Sequence, residues 1–335
     1  MTAQQKPLMA SSSTESGKRR PDLSDREAVR TQIESLLTAV ENFLFLSLDH
    51  QSVIADDPQC REAIHQLRIY SRRSQAALSV YEHLLPKKQH QWVMRQLRKI
   101  RRAAGTCRDL DVLRERLLKH QSKNQEGGKK GQQLLIRLSK RRRQSTKPLA
   151  LLRDKLIVTG KFAVHKADLL ANLGPHEVDE NSANSFEQWS RKRLRLISRR
   201  FLHAGRLPLK TLPKIHRFRI RTKQLRYSLE ILAEHLPEEP LAEMNSTVVK
   251  LQKLLGDLND HAFAGEQIRQ LKKSSDRRWG KQLKNQLRLA EQQLADSRRR
   301  LHQTWDAACL RKTKHLLREI TSNASNESNP PFAQE

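Results

Sequence analysis

Two short rows of cations carry the chemistry this sequence offers. Arg61, His65, Arg68 and Arg72 are spaced 4, 3 and 4 residues apart, and His216, Arg219 and Lys223 repeat the last three positions of that row. On a helix this spacing gathers the side chains on one face. Guanidinium, ammonium and imidazole groups in a row are chemistry for holding anions. Arginine offers a planar fork to phosphate oxygens and lysine a point charge, so a mixed row follows a flexible polyanion without demanding one register. Arg68 and Arg72, a like-charged pair four residues apart, cost an isolated helix about 0.2–0.5 kcal/mol, and a bound anion relieves that cost. The opposing reading is a set of salt bridges to acids on neighbouring helices. With 65 Lys plus Arg against 36 Asp plus Glu, many cations are left without such partners.

The elements that position these rows are helices with a buried seam. In the first copy Ile64, Leu67, Ser71, Ser74, Leu78, Tyr81 and Leu85 step by 3 and 4 in alternation, and Ile215, Phe218, Thr222, Leu225, Leu229, Leu232 and Leu236 take the same steps. A mean period of 3.5 lets a helix lie along a neighbour for its whole length. Each cationic row sits one residue round from its seam, beside the buried face rather than opposite it. His65, Arg68, Ile69, Ser71 and Arg72 stand 151 residues before His216, Arg219, Ile220, Thr222 and Lys223, and Lys99, Gly105 and Asp109 keep that offset to Lys250, Gly256 and Asp260. The chain is therefore an internal duplication.

No stretch alternates apolar and polar residues long enough for a strand. The expected fold is all-α, with two pseudo-twofold-related helical bundles of four to five helices each. The expected division is a disordered segment 1–22, a first repeat 23–173, a linker 174–185, a second repeat 186–320 and a disordered tail 321–335. Ser24 is placed to cap a first helix that turns Val29, Ile33, Leu36, Leu37, Val40, Phe43 and Leu44 inward, and Asp49 to Pro58 reads as a loop. Pro58 suits the first turn of the seam helix, which is expected to run to Leu85 and stop at Pro86. A third helix carries Val93, Leu97, Ile100 and Ala104 inward and is expected to end at Gly105. Thr106 and Asp109 then have the spacing of a capping box for a fourth.

In the second half a helix with Met244, Val248, Leu251 and Leu255 inward is expected to close at Gly256, with Asp257 opening the next. Residues 125–130 read as a turn. A long basic helix is expected to reach Leu173 with a break at Pro148, and a last one to run from about Asp276 to Ile320.

The formal net charge of +29 and a pI near 10.6 draw polyanions at long range. Nucleic acid, anionic membrane and inorganic polyphosphate all fit that field, and composition does not rank them. Cys60, Cys107 and Cys309 are far apart with no Cys-x-x-Cys pair, which reads as a reducing compartment. The first 22 residues lack the apolar core of a signal peptide. The longest apolar run, Phe43 to Leu48, is far too short to span a bilayer. The expectation is a cytoplasmic protein.

No metal site and no cofactor are expected, since the histidines show no ligand spacing. Asp109, Asp111, Asp257 and Asp260 read as capping residues rather than a Mg²⁺ cluster, so no catalytic residue is assigned. The triple-basic runs Arg141 to Arg143 and Arg298 to Arg300 read as solvated faces. The four tryptophans are scattered, unlike a single-strand stacking platform.

The His-x-x-Arg-x-x-x-Arg-Arg helix at His65, followed by Gly105-x-x-Arg108-Asp109-Leu110-Asp111-Val112, resembles the CHAD family, the conserved histidine α-helical domain. His216-x-x-Arg219-x-x-x-Lys223-x-x-Arg226-Tyr227-x-x-Glu230, with Leu251-Gln252-x-x-Leu255-Gly256-x-x-Asn259-Asp260, is similar to that family's second repeat. The resemblance covers roughly residues 24–320. It implies two bundles with a basic channel between them that binds inorganic polyphosphate, association with polyphosphate granules, and no enzymatic activity. By position, the phosphate-facing residues it implies are His65, Arg68, Arg72, Arg73, Lys99, Arg102 and Arg108, and His216, Arg219, Lys223, Arg226, Lys250 and Lys253. Gln224 stands opposite Arg73 and Asn259 opposite Arg108, so the second copy is less basic there. The triphosphate-tunnel motif Glu-x-Glu-x-Lys, which accompanies many members, does not occur. The sequence therefore reads as a non-enzymatic polyphosphate-binding protein whose net charge also gives weak attraction for nucleic acid. A nucleic-acid-binding helical protein, a metal-binding module and an enzyme of phosphate metabolism stand as the alternatives.

Overall fold

The seams predicted from spacing are the buried faces of two helices. In a computed structural model, which describes residues 25–47, 58–124, 129–173, 183–273 and 280–322, every residue of both seams is buried, from Ile64 and Leu67 to Leu232 and Leu236. The chain is all-α, and no strand occurs among the described residues. The helices are α1 (Asp25–Leu46), α2 (Pro58–Val80), α3 (Lys87–Asn124), α4 (Lys129–Ser145), α5 (Lys147–Arg153) and α6 (Lys161–Ala171). They continue with α7 (Ala183–Arg206), α8 (Leu212–Ile231), α9 (Glu238–Lys273), α10 (Gly280–Thr304) and α11 (Ala307–Thr321). Short 3₁₀ turns, Glu82–Leu84 and Ala233–His235, follow α2 and α8. Pro58 opens α2 as expected, but the α-helix ends at Val80, with the 3₁₀ turn completing the seam as far as Leu85.

Packing follows the apolar stripes. α1 lies on α2, α2 on α3, and α3 on α4 and α6, while α7 lies on α8, α8 on α9, and α9 on α10 and α11. α2 also packs on α8, and α3 on α9. Burial of each large apolar side chain stabilises the fold by about 1.5–3 kcal/mol. One example is the aromatic cluster of Phe201, Phe218 and Trp305, with Trp305 Nε1 donating to the Gly205 carbonyl at 2.9 Å. A second core joins Leu110, Leu113 and Leu117 of α3 and Leu138 of α4 to Ala264 and Ile268 of α9 and Leu283 and Ala290 of α10.

Several expected stops are overturned. α3 runs straight through Gly105 and α9 through Gly256, so neither glycine ends a helix and no capping box forms at Thr106 and Asp109. A glycine inside a helix costs about 1 kcal/mol relative to alanine, which the buried stripes on either side outweigh. Asp109, Asp111, Asp257 and Asp260 are consequently interior helix positions, not caps.

The predicted long basic helix breaks before Pro148, in the first turn of α5, and again at Gly160, whose φ of 67° only glycine adopts freely. The last long helix breaks at Asp306, whose carboxylate accepts from the Cys309 N–H at 2.7 Å as a true cap. Arg142 is not solvated. Its side chain is 8% exposed and pairs at 3.2 Å with Asp111, 3% exposed. Lys129 and Lys130 already belong to α4. The rest of that expected turn, the Ser24 cap, most of the Asp49 to Pro58 loop, most of the linker and the two tails lie outside the described residues. Among the described residues no helix is long and apolar enough to cross a membrane.

Candidate functional site

Where α2 and α3 meet α8 and α9, the helices line a half-open cavity of about 970 Å³. α2 contributes His65, Arg68, Arg72 and Gln75, and α8 contributes His216, Arg219, Lys223 and Gln224. α3 adds Arg101, Arg108 and Asp109, and α9 adds Gln252, Asn259 and Asp260. The seam explains this placement. With Ile64, Leu67 and Ser71 in the core, the residues one step round are carried to the rim of the buried face.

The two cationic rows are thus brought to one space: His65, Arg68, Arg72, Arg108, His216, Arg219 and Lys223 all line it. Six other residues implied by the resemblance do not. Arg73 pairs with Glu230 at 3.5 Å and lies over the Tyr70 ring. Arg226 donates to Glu230 at 2.8 Å and to Gln252 at 3.1 Å, so Glu230 ties α2 to α8. Lys99, Arg102, Lys250 and Lys253 are exposed and outside the lining.

Helix geometry gives the reason. At 100° per residue Lys99 points about 180° away from Arg108, whereas Arg101 points within about 20° of it. Arg101, Gly105, Arg108 and Val112 form one face of α3, and Gln252, Gly256, Asn259 and Phe263 the matching face of α9. That wheel, drawn from Arg108, is the signal that would have found Arg101 and Gln252.

The cations repel one another. Burial, then repulsion by Arg72, Arg219 and Arg68, lowers Lys223 to about 6, and Asp260 opposes this only in part. Burial, then Arg72, lowers Arg68 to about 10, with Asp109 at 3.9 Å working the other way. Burial, then Arg72, also lowers Arg219 and Arg101. Burial, then Arg108, lowers His65. Asp109 is raised by burial, pulled down by Arg68 and pushed up again by Asp260. Arg72 is the common neighbour of this set.

Among the described residues Arg72, Arg101, Arg219 and Lys223 have no carboxylate in ion-pair contact, and Arg219 Nε and Gln75 Nε2 are buried without a hydrogen-bond partner. Arg72, Arg219 and Lys223 are half-buried, and cations withdrawn from water without compensation are costly, whereas Arg101 is exposed at the rim. An anion presenting several oxygens would supply what Arg219, Arg72 and Lys223 lack. No group of three or more His, Cys, Asp or Glu among the described residues could hold a metal ion.

Comparison with known proteins agrees with this architecture. The family model of the CHAD domain matches residues 38–269. The fold is similar to the crystal structure of the CHAD domain from the plant Ricinus communis, at 18% identity and a TM-score of 0.60, covering 87% of this chain and 91% of that one. It is also similar to PptA from Streptomyces chartreusis, at 16% identity and a TM-score of 0.62, covering 84% of this chain and 98% of that one. Comparison with curated proteins gave no significant match. With more than half of its length matched by the family model, including both histidine helices and the α3 and α9 faces that line the cavity, the chain belongs to the CHAD domain family.

Proposed function

We propose that this chain binds inorganic polyphosphate in the cavity between α2, α3, α8 and α9, without turning it over. The observation that supports this most directly is the set of cations without an ion-pair partner among the described residues, Arg72, Arg101, Arg219 and Lys223, gathered round one space with Arg68 and Arg108. A linear polyanion relieves their mutual repulsion along its whole length. Release of the small ions that each cation and phosphate held supplies much of the free energy, as it does for nucleic acids. Linked phosphates share one cost of immobilisation, which separate orthophosphate ions do not.

On the same reading the 151-residue repeat makes two pseudo-twofold-related bundles, 23–173 and 186–320, joined through 174–185, whose facing helices line the site. Association with polyphosphate granules is the cellular form of such binding. Asp109 serves Arg68 rather than a metal, so incubation with polyphosphate and Mg²⁺ is expected to release no phosphate.

The test is competition. Labelled long-chain polyphosphate is bound, then challenged with equal phosphate equivalents of single-stranded RNA, duplex DNA and orthophosphate. Unlabelled polyphosphate alone is expected to displace it efficiently. Displacement by RNA or DNA at similar concentrations would replace this reading with nucleic-acid binding.

A further inference from the structure

The two long helices beside the cavity present different strips. On α3 the strip over Gly105 is filled, because a Cβ there would lie 2.7 Å from Arg68 Nη1. On α9 the strip over Gly256 is open, with nothing within 4 Å of the corresponding Cβ position. Gln252 and Asn259 flank this open strip, and Phe263 follows one turn on; all three line the cavity. The matching positions on α3 hold Arg101, Arg108 and Val112. A wall that is cationic on one side carries no cation on the other, where two amides and a phenyl ring stand with the Asp260 carboxylate beside Asn259.

The orientation of the amides is fixed by their partners. Arg221 Nη1 donates to Gln224 Oε1 at 2.9 Å, and Arg226 Nη1 donates to Gln252 Oε1 at 3.1 Å. Arginine only donates, so each glutamine keeps its NH₂ for another acceptor. Asn259 Nδ2 donates to Asp260 Oδ1 at 3.3 Å, which leaves the Asn259 carbonyl as an acceptor. None of the three groups has a further hydrogen-bond partner among the described residues. On α9 itself the Gln252 NH₂ and the Asn259 carbonyl, a donor and an acceptor on either side of Gly256, suit the edge of a flat heteroaromatic ring, with Phe263 one turn beyond Asn259. Amides read such a ring along its edge, and an aromatic side chain covers its face.

We infer that the α9 wall is a nucleobase subsite, so that the cavity takes a nucleoside 5′-polyphosphate with its base over Gly256 and its phosphates against Arg72, Arg219 and Lys223. The inference rests on the anion-binding reading of the same cavity. Its volume of about 970 Å³ is within the range of small-ligand sites.

Calorimetric titration with ATP, GTP and UTP, against tripolyphosphate at equal ionic strength and without divalent cations, tests it. The best of the three nucleotides is expected to bind about tenfold tighter than tripolyphosphate, the scale of one base stacked on an aromatic ring. Gly256→Leu fills the open strip, keeps the charge and improves helix propensity. It should bring nucleotide affinity down to that of tripolyphosphate while leaving tripolyphosphate and long-chain polyphosphate unchanged. Equal affinity of the wild-type protein for tripolyphosphate and all three nucleotides would overturn the subsite, as would an equal loss of both ligand types in Gly256→Leu. Failure of the wild-type protein to bind long-chain polyphosphate or tripolyphosphate at all would instead sink the anion-binding reading, and the subsite with it.

Discussion

The α2–α3 side and the α8–α9 side of the cavity use one pattern of residues in two ways. On the first side two of the cations, Arg68 and Arg108, are tied down, while Arg72 and Arg101 have no ion-pair partner among the described residues. Arg68 lies over Gly105 beside Asp109 at 3.9 Å, Arg108 pairs with Glu115 at 3.6 Å, and Asp111 beneath them is locked to Arg142 at 3.2 Å. On the second side Arg219 and Lys223 have no ion-pair partner among the described residues, Arg108 becomes Asn259, and Asp111 becomes Ala262. One wall is organised before a ligand arrives, so less ordering is left for binding to supply. Arg219 and Lys223 of the other have no such tie, and together with Arg72 and Arg101 they have most to gain from an anion. Residues at the same 151-residue offset thus hold matching positions round the cavity, yet Arg68 is paired where Arg219 is not.

The most damaging way to break this comparison is to remove the tie beneath the first wall. Arg142→Ala would leave Asp111 buried and unpaired, which costs about 3–5 kcal/mol. Denaturant unfolding should show that loss, whereas Ala262→Ser, at the position matching Asp111, should change stability far less. Equal losses from the two variants would mean that the buried pair is not what organises the first wall.

Reversing charge within the cavity comes next. Arg68→Glu with Arg72→Glu, or Arg219→Glu with Lys223→Glu, should each weaken polyphosphate binding about a hundredfold, since a hydrogen bond to a charged group contributes about 1.5–3 kcal/mol. Helix content by circular dichroism should stay. Arg141 and Arg143 are exposed, and reversing both should cost about threefold or less, the range of surface electrostatics. Lys99 with Arg102, and Lys250 with Lys253, belong with that exposed pair if position in the cavity matters more than net charge. Similar losses from all of these doubles would leave net charge as the only determinant.

These assignments show what the sequence could and could not carry. Steps of 3 and 4 located both seams because burial leaves a periodic trace, and the rows beside them followed from the same wheel. Gly105 misled because a glycine after an apolar run looks like a helix stop. Its actual neighbour, the Arg68 guanidinium, comes from a helix more than thirty residues earlier. Asp109 misled with it, since capping spacing is also the spacing of one helical turn. Lys99 and Lys250 are implied by the resemblance through their position in its motifs, and position in a motif does not say which way a residue points; both are exposed outside the cavity lining. Arg142 sat in a run of three like charges, and only the packing of α4 on α3 singles out the middle one for burial.

A pH titration sharpens the contrast between tied and strained cations. In the empty protein Lys223 is lowered from its ordinary 10.5 to about 6, so near neutral pH it is largely uncharged. Bound phosphate favours the ammonium form, so binding should take up a proton. Affinity should then rise as pH falls from about 9 towards 6, by up to about tenfold per unit for one proton, and level off below 6. His65, also lowered, adds to this in the same direction. Stability of the empty protein should run the other way. The unfolded chain holds the Lys223 proton between about 6 and 10.5 while the folded chain does not, so folding is favoured as pH rises through that window. Lys223→Arg should flatten the binding slope. Calorimetry in buffers of different ionisation enthalpy would refute the idea by finding no proton uptake.

The smallest expected effect isolates the comparison most cleanly. Gly105→Ala and Gly256→Ala are the same change at matching positions, and in an exposed helix interior each would gain up to about 1 kcal/mol of helix propensity. At Gly105 the new methyl meets Arg68 Nη1 at 2.7 Å, whereas at Gly256 it meets nothing within 4 Å. The atom displaced is the tip of a flexible side chain, so the fold should tolerate the change and the guanidinium should swing away from its place beside Asp109. Polyphosphate affinity should fall about fivefold for Gly105→Ala, part of the ~1.5–3 kcal/mol of a charge-assisted hydrogen bond. For Gly256→Ala it should stay within about twofold, because nothing there is displaced. Gly105→Ala in an Arg68→Ala background should then have no further effect on binding, because the group it pushes is already gone. A persistent loss in that double variant would mean that Gly105 acts through the backbone of α3 and not through Arg68.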